Sequence, residues 1–345
     1  MASEMPSNVA AWLVAEKANP LEIKPSEFAL PAADEIVIKN SAVAINPIDW
    51  KLQTMARFPL QYPAVLGEDV AGEVVAVGQN AASRFRKGDR VAGFALGFTT
   101  PRACDGGYQQ YSVVLARLAS HIPENLSFEH AAAIPLATAT AAAGLFQKNY
   151  LALHPPSMNP TPTGQTLLVW GGASSVGSSA VQLAVAAGYE VFTTASPRNF
   201  ERVKALGVAQ VFDYAADDVV KQIVTALAGK KLAGVLDVIN KQGDAISKCV
   251  EVVRQTPEAR QVISTVGPIL PKLEGIETIG IFASTIKDNE VSRVIYEDFL
   301  PAALKGGQYK AAVDIRVVGH GLESIQTALD EYAKGVSATK LVVTL

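Results

Sequence analysis

The pattern of apolar and polar positions changes once along the chain, and its first part is typical of β-structure. Residues 35–45 alternate between apolar and polar positions and are rich in β-branched side chains. Segments 70–78 and 89–94 continue the pattern, with turns of glycine, asparagine and Lys-Gly-Asp between them, and 108–123 adds another strand region. This pattern predicts an irregular β domain with few helices over the first 120 residues.

Beyond Ser127 the pattern predicts strands that alternate with helices. Segment 128–146 is rich in alanine and has apolar residues at helical spacing, whereas the loop at 154–164 holds too many prolines for regular structure. The predicted strands are then 166–170, 190–195, 210–214, 234–239 and 261–266, and the predicted helices are 175–188, 199–206 and 219–227. This alternation predicts an α/β domain with a doubly wound parallel sheet.

The junction between the first strand and the first helix of this alternation carries the strongest chemical signal. Small residues there let the backbone approach a pyrophosphate, which the free N–H groups of a helix start bind. We predict that the cofactor contacts of this loop come from Gly172, Ser174, Ser175, Val176 and Gly177. The strict G-x-G-x-x-G pattern has glycine where Ser174 stands, so the specificity of the signal comes from the strand before it and the helix after it.

The end of the next predicted strand distinguishes NADPH from NADH. An acidic residue about 20 positions after the glycines would bind the ribose 2′-hydroxyl of NADH. No aspartate or glutamate stands between Glu190 and Glu201. Ser196, Arg198 and Asn199 stand there instead, and their side chains can donate hydrogen bonds to a 2′-phosphate. The sequence therefore predicts NADPH as the cofactor.

Several segments together resemble the medium-chain dehydrogenase/reductase superfamily over essentially the whole chain. They are NPIDWK at 46–51, GEDVAGEVVAVG at 67–78, KGDRVAG at 87–93, the glycine–serine loop and TTASPRNFERVKALGV at 193–208. Within the superfamily, the match is closest to zinc-free quinone oxidoreductases and to fungal enoyl reductases that act in trans with polyketide synthases.

The resemblance implies a fold of two domains in three stretches. Residues 1–126 would form the first part of a GroES-like, β-rich catalytic domain, residues 127–285 a Rossmann NADP-binding domain, and residues 286–345 a return to the catalytic domain. An amphipathic helix predicted at 322–335 and a last strand at 340–345 fit this return.

The same resemblance predicts that both metal sites of the zinc enzymes are missing. A catalytic zinc needs three protein ligands from Cys, His, Asp or Glu. Asn46 stands at the place of the first ligand, Glu68 replaces the histidine that is the second, and Leu136 stands at the third. The loop that holds four closely spaced cysteines in those enzymes has only Cys104. We therefore predict no metal.

The resemblance also places one segment of the first domain against the cofactor. Its residues are Asn46, Pro47, Ile48, Asp49, Trp50 and Lys51. We interpret the segment as a polar turn from which Lys51 contacts the nicotinamide ribose or a substrate carbonyl, which makes Lys51 the candidate catalytic residue. A structural turn with a solvated lysine is the alternative.

Further residues receive roles only by this resemblance. Tyr214 would pack near the adenosine 2′-phosphate, and Val266 and Gly267 would pass the nicotinamide. The predicted substrate contacts are Thr138, Thr140 and Phe282, for which bonding to the preceding helical turn or core packing is the alternative. The proton donor stays open between Tyr62 and water.

The net charge and the composition of the chain exclude some classes of binding partner. A formal net charge of −3 gives no field that would attract nucleic acid or an acidic membrane. No apolar run reaches the ~20 residues that a membrane span needs. The first residues lack the pattern of a secretory signal, and two cysteines cannot make a disulfide framework. We therefore predict a cytoplasmic protein, either a monomer or a homodimer that pairs through a strand at 277–284.

These features predict a zinc-independent NADPH-dependent reductase. Without a metal to polarise the oxygen, oxidation of a simple alcohol is difficult, whereas a C=C beside a carbonyl is already activated. The predicted reaction is hydride transfer to such a C=C or to a quinone, with a small-molecule or thioester-bound unsaturated substrate. The alternative is an NADPH-binding homologue with a structural or sensing role and little turnover.

Overall fold

The computed structural model describes residues 6–239, 244–266 and 275–345 of the chain. Its strands are β1 (Asn8–Leu13), β2 (Glu22–Ser26), β3 (Glu35–Ala44), β4 (Ala64–Val65), β5 (Asp69–Val77), β6 (Arg90–Phe94), β7 (Tyr111–Leu115), β8 (Ala119–His121), β9 (Gln165–Trp170), β10 (Glu190–Ala195), β11 (Gln210–Asp213), β12 (Lys231–Asp237), β13 (Val262–Thr265), β14 (Glu277–Gly280), β15 (Asp314–His320) and β16 (Thr339–Thr344).

Its α-helices lie mostly after residue 127. They are α1 (Pro47–Met55), α2 (Phe128–Ala131), α3 (Pro135–Phe146), α4 (Ser175–Ala186), α5 (Phe200–Lys204), α6 (Val219–Ala226), α7 (Asp244–Gln255), α8 (Glu290–Arg293), α9 (Leu300–Lys305) and α10 (Ser324–Ala333). Within the described ranges, none of the helices has the length and the apolar character needed to cross a bilayer.

The chain forms two compact units. The first comprises Met1–Leu136 and Asp314–Leu345, and the second comprises Ala137–Val313. The predicted boundaries, after residues 126 and 285, both fall earlier in the chain than the observed ones.

Hydrogen bonds explain why residues 286–313 belong to the second unit. Asn289 Nδ2 donates to Gln147 Oε1 of the segment after α3 at 2.7 Å. The hydroxyls of Thr138 and Tyr309 lie 2.6 Å apart, and both side chains are buried. These contacts bind the stretch after β14 to α3, and the sequence pattern of the stretch did not indicate them.

The first unit is built from mostly antiparallel sheets, in which β15 and β16 are the parallel pair, and it closes with the last strand. Its larger sheet has the order β15-β16-β3-β5-β6-β8, with β7 pairing with β3, and its smaller sheet has the order β2-β1-β4. In β16, Val342 lies opposite Ala44 of β3, so the end of the chain completes a sheet that begins near residue 35.

The second unit contains a six-stranded parallel sheet of order β11-β10-β9-β12-β13-β14. Its helices α6 and α7 bury an apolar face that includes Val219, Ile223, Ile246 and Val253. The strand order reverses between β9 and β12, and such a switch point is where open α/β sheets bind their ligands. The predicted fold class, a GroES-like β-rich domain with a doubly wound α/β domain, is confirmed.

The segment NPIDWK is helical, which corrects the predicted polar turn. Asn46 is the N-cap residue of α1, and Pro47 occupies the first helical position, where its missing N–H costs nothing. Asp49 accepts a hydrogen bond from the Asn46 N–H at 2.8 Å, which is half of a capping box. The residues that suggested a turn are therefore the start signals of a nine-residue helix.

Candidate functional site

The loop after β9 is fixed by hydrogen bonds to β10. Gly171 has a φ of 98°, a left-handed conformation that glycine adopts without strain, and its N–H donates to Thr194 Oγ1 at 3.0 Å. The Gly172 N–H donates to the Thr194 carbonyl at 2.9 Å. A Cβ atom on Gly172 would lie 2.3 Å from Thr193 Oγ1, so a side chain has no room there.

Ser174 explains the departure from the strict glycine pattern, because it caps α4. Its Oγ accepts a hydrogen bond from the Gly177 N–H at 3.0 Å and donates to the Gly171 carbonyl at 2.9 Å. A Cβ atom on Gly177 would lie 2.1 Å from the Gly171 carbonyl oxygen, so helix and loop meet backbone to backbone. Ser175 and Val176 form the first turn of this twelve-residue helix, whose N–H groups suit a pyrophosphate.

The residues predicted to bind a 2′-phosphate follow β10 in a 3₁₀ turn, Pro197–Asn199. Asn199 Nδ2 donates to Ser196 Oγ at 3.0 Å, and Arg198 is exposed. Because β9, β10 and β11 are adjacent parallel strands, this turn stands beside the glycine–serine loop. Tyr214 follows β11 at the same edge and is 47% exposed. The structure thus brings these predicted contacts to one edge of one sheet.

The predicted nicotinamide contacts are described in part. Val266 follows β13, is 37% exposed and donates its N–H to the Asp237 carbonyl at 3.1 Å. It therefore lies at the same edge of the sheet, beyond the switch point. Gly267 lies outside the described residues.

The three predicted substrate residues have different surroundings. Thr138 is fully buried and bonds to Tyr309, whose pKa burial raises to about 12, so its hydroxyl points into the core of the second unit. The hydroxyl of Thr138 therefore pairs with Tyr309 rather than with the preceding turn of its helix, and the substrate contact of Thr138 stays a prediction. Thr140 is half-buried, and Phe282 is 50% exposed.

A second site, in the first unit, is a cluster of buried polar side chains around the start of α1. Asp49, Glu68, Asp69 and Lys340 are each at most 3% exposed. Asn46 Nδ2 donates to Asp69 Oδ2 at 2.9 Å. The cluster therefore joins α1, the segment before β5 and the last strand.

Lys340 is the cation of this cluster. Its Nζ lies 2.7 Å from Asp69 Oδ2 and 2.5 Å from Asn46 Oδ1. The other oxygen of Asp69 accepts a hydrogen bond from the Leu136 N–H at 2.6 Å. Asn46 and Leu136 stand at two of the three positions that hold zinc ligands in the zinc enzymes. In this structure both bond to the ion pair of Lys340 and Asp69.

Burial disfavours the charged forms of the other carboxyls. It raises the pKa of Asp49 to about 7, and the negative charge of Asp69 adds to the effect. Burial and the neighbouring carboxylates raise the pKa of Glu68 well above its ordinary value. Both shifts favour the protonated forms of these two carboxyls.

Lys51 and Tyr62, the residues considered for chemistry, lie in the first unit. Lys51 is on α1 and half-buried, and burial together with the charge of Arg57 lowers its pKa. Burial raises the pKa of Tyr62, so its hydroxyl is protonated at neutral pH. In residues 6–239, 244–266 and 275–345, no three His, Cys, Asp or Glu side chains are arranged to hold a metal ion.

Lys340 was not among the predicted site residues, although the sequence carries one signal of it. Lys340 stands directly before the apolar residues Leu341, Val342 and Val343 of the predicted last strand, which suggest burial. A lysine at a buried strand position requires a carboxylate partner, because an isolated ammonium is costly to bury. Asp69 lies far from it in the sequence, so the pattern alone did not give the pair.

Two protein-family models match the chain. The model for the alcohol dehydrogenase GroES-like domain matches residues 32–124, and the model described as zinc-binding dehydrogenase matches residues 175–267.

Known proteins are similar over almost the full length. The dehydrogenase pigH of Monascus ruber is 46% identical over 375 residues, which cover 99% of this chain and all of that protein. The trans-enoyl reductase himH of Aspergillus japonicus is 36% identical over 338 residues, 97% of each chain. A quinone oxidoreductase structure from Pseudomonas syringae pv. tomato DC3000 has a TM-score of 0.72 and 25% identity, and covers 99% of this chain and all of that one.

Proposed function

Because the chain belongs to the medium-chain dehydrogenase/reductase superfamily, in its enoyl-reductase-like branch, and is an oxidoreductase, we propose that it is a zinc-independent, NADPH-dependent reductase. Its reaction is hydride transfer to a C=C activated by a carbonyl, or to a quinone. The names of the relatives, trans-enoyl reductase and quinone oxidoreductase, support this substrate class.

The observation that carries the proposal is the cradle after β9. Gly172 and Gly177 leave no room for a Cβ atom, and Ser174 caps the helix that follows. The pyrophosphate of a dinucleotide fits such a site, because small residues admit its oxygens and the helix start binds their charge. The turn at Ser196 and Arg198 supplies donors for a 2′-phosphate.

The chemistry requires little acid–base machinery from the protein. Bound NADPH would supply the hydride. The chain has to orient the acceptor, exclude water and hydrogen-bond the oxygen on which negative charge develops. Lys51, half-buried on α1, is our candidate for contact with the nicotinamide ribose or the carbonyl oxygen.

The test of this function is NADPH oxidation against quinones, enones and enoyl thioesters, with NADH in parallel. We expect turnover with at least one class and a preference for NADPH. Tight NADPH binding without oxidation by any acceptor would favour the alternative, a binding protein with a structural or sensing role.

Zinc independence has its own prediction. Both oxygens of Asp69 are engaged by Lys340 and the Leu136 N–H, and Asn46 Oδ1 accepts from Lys340, so these atoms are committed to bonds within the protein. We expect elemental analysis of the purified protein to give well under one zinc per chain and chelator treatment to leave the rate unchanged. Stoichiometric zinc, or a rate that falls with chelator and returns with zinc, would contradict this.

Arg198→Glu should change the cofactor preference. We expect the KM for NADPH to rise about 10- to 100-fold, because one charge-assisted bond is lost and a repulsion to the 2′-phosphate is introduced. The KM for NADH should change by less than about twofold, since NADH lacks that phosphate. Arg254→Glu is the matched control, an exposed arginine on α7 of the same unit. Equal changes for both cofactors would refute the assignment.

A further inference from the structure

Thr194 lies near the end of β10, where the loop after β9 leaves the sheet. Its side chain is buried, with 0% of its surface exposed. The ladder between β9 and β10 ends with Val169 opposite Thr193, one residue before Thr194. Beyond that pair, the loop after β9 is held by individual hydrogen bonds rather than by a ladder.

Thr194 accepts hydrogen bonds from both glycines with which this loop begins. The Gly171 N–H donates to Thr194 Oγ1 at 3.0 Å, and the Gly172 N–H donates to the Thr194 carbonyl at 2.9 Å. The second bond uses a main-chain acceptor, which every residue type supplies. The first bond depends on the hydroxyl side chain at position 194, so this one side chain determines where Gly171 lies.

The position of Gly171 in turn determines the position of the helix cap. The Gly171 carbonyl accepts from Ser174 Oγ at 2.9 Å and from the Ser174 N–H at 3.1 Å. Ser174 Oγ itself accepts from the Gly177 N–H at 3.0 Å. A displacement of Gly171 therefore moves the acceptor on which the cap of α4 depends, and with it the N–H groups predicted to bind a pyrophosphate.

Thr194 also leads directly into the turn predicted to bind the 2′-phosphate. Ser196 follows it by two residues, which span about 7 Å at most. Ser196 is itself fixed, because its Oγ accepts from Asn199 Nδ2 at 3.0 Å. Thr194 is thus joined covalently to the turn at Ser196 and by hydrogen bonds to the loop at Gly171.

We propose that Thr194 is a positioning residue for the dinucleotide, because its hydroxyl fixes the spacing between the pyrophosphate loop and the 2′-phosphate turn. The inference rests on the proposed function, since both sites are those of NADPH. NADPH carries the pyrophosphate and the 2′-phosphate on one ribose, so it reaches both sites only at the right spacing. Adenosine 2′-monophosphate lacks the pyrophosphate and is insensitive to that spacing.

Thr194→Val removes the acceptor and keeps the shape of the side chain. A methyl group replaces Oγ1, so the Gly171 N–H loses its partner, whereas the Gly172 bond to the main chain stays. We expect the dissociation constant of NADPH, measured by fluorescence titration, to rise about tenfold, as it does when about a tenth of the molecules hold the binding geometry. The constant of NADH should rise by a similar factor, because NADH has the same pyrophosphate.

The fragment separates loss of spacing from loss of the 2′-phosphate turn. We expect the dissociation constant of adenosine 2′-monophosphate, measured by calorimetry, to change by less than about twofold in Thr194→Val, as for an independent site. An equal loss of affinity for the fragment and for NADPH would refute the role of Thr194 in spacing.

Two further variants separate this role from general packing. Thr194→Ser keeps the hydroxyl and should restore NADPH affinity. Thr166→Val is the matched control, because Thr166 of β9 is 2% exposed and donates its hydroxyl to Glu190 Oε2 at 2.6 Å, at the other end of the same strand. It should cost stability and leave NADPH affinity unchanged. An equal loss of affinity in Thr166→Val would reduce the effect to one of stability and refute the proposal.

Hydrogen exchange tests the Gly171 bond in the chain without cofactor. We expect the amides at 171–174 to exchange about tenfold faster in Thr194→Val than in the wild type, in Thr194→Ser and in Thr166→Val, because opening of the loop costs less. Exchange at the wild-type rate would overturn the proposal. If Thr194→Val does not fold, Thr194→Ala removes the same oxygen, and its comparison with Thr194→Ser gives the same test.

The binding results distinguish this inference from the proposed function. Wild-type NADPH affinity in Thr194→Val would refute the role of Thr194 and leave the proposed function intact. Failure of the wild-type chain to bind NADPH would refute the proposed function, and the role of Thr194 in binding would fall with it.

Discussion

Lys340→Met should lower the free energy of unfolding by about 3–5 kcal/mol, the loss typical of removing one partner from a buried ion pair. Lys340 and Asp69 are 3% and 0% exposed, so the substitution leaves a buried carboxylate without its ammonium partner. Asn46 Oδ1 would lose its donor in the same step, because Lys340 bonds to both residues. The measurement is urea unfolding of the purified variant.

Two further variants make this result specific. Lys39→Met removes an exposed lysine from β3 of the same sheet and should cost less than about 0.5 kcal/mol. Adding Asp69→Asn to Lys340→Met should restore part of the loss, because it removes the uncompensated charge and keeps an acceptor for the Leu136 N–H. A loss below about 1 kcal/mol for Lys340→Met alone would show that the ion pair does not stabilise the unit.

Gly177→Ala should weaken NADPH binding by about 100-fold or more, equivalent to about 2.7 kcal/mol. The added Cβ would lie 2.1 Å from the Gly171 carbonyl oxygen and 2.8 Å from the Gly172 Cα. Both are backbone atoms, so no side chain can rotate away, and the loop itself has to move. Because the loop position defines the pyrophosphate site, affinity should fall far more than stability.

The control for this substitution is Gly306→Ala. Gly306 lies in the same unit with a φ of −81°, and its added Cβ would first meet the side-chain end of Gln308. We expect unchanged NADPH affinity there, measured by fluorescence titration. Circular dichroism would show that Gly177→Ala is folded. Wild-type affinity in Gly177→Ala would exclude the glycine–serine loop as the cofactor site.

Much of the second unit could be predicted from the sequence, because its signals are local. A continuous apolar run predicts a strand buried on both faces, and the predicted strand 166–170 differs from β9 by one residue. Ser174 caps α4, and Gly177 allows this helix to lie close to the loop before it. Both residue types can be read directly from the sequence.

The polar cluster of the first unit could not be predicted in the same way, because its partners are distant in sequence. Lys340 and Asp69 are separated by 271 positions, and they meet because β3 pairs with β16 on one side and with β5 on the other. The start of α1 was available locally, since Asn46, Pro47 and Asp49 fit the N-cap, first and third helical positions. The turn interpretation gave weight to the polarity of these residues rather than to their spacing.

The place of β16 in the chain has a consequence for biosynthesis. The second unit is one continuous stretch, Ala137–Val313, so all of it has been synthesised before translation reaches Lys340. The first unit emerges earlier but lacks β15, β16 and the ammonium beside Asp69 until the last residues are made. Although domains usually complete in the order of synthesis, here the unit that begins first has to finish last, and until then Asp69 lacks the ammonium that compensates its charge.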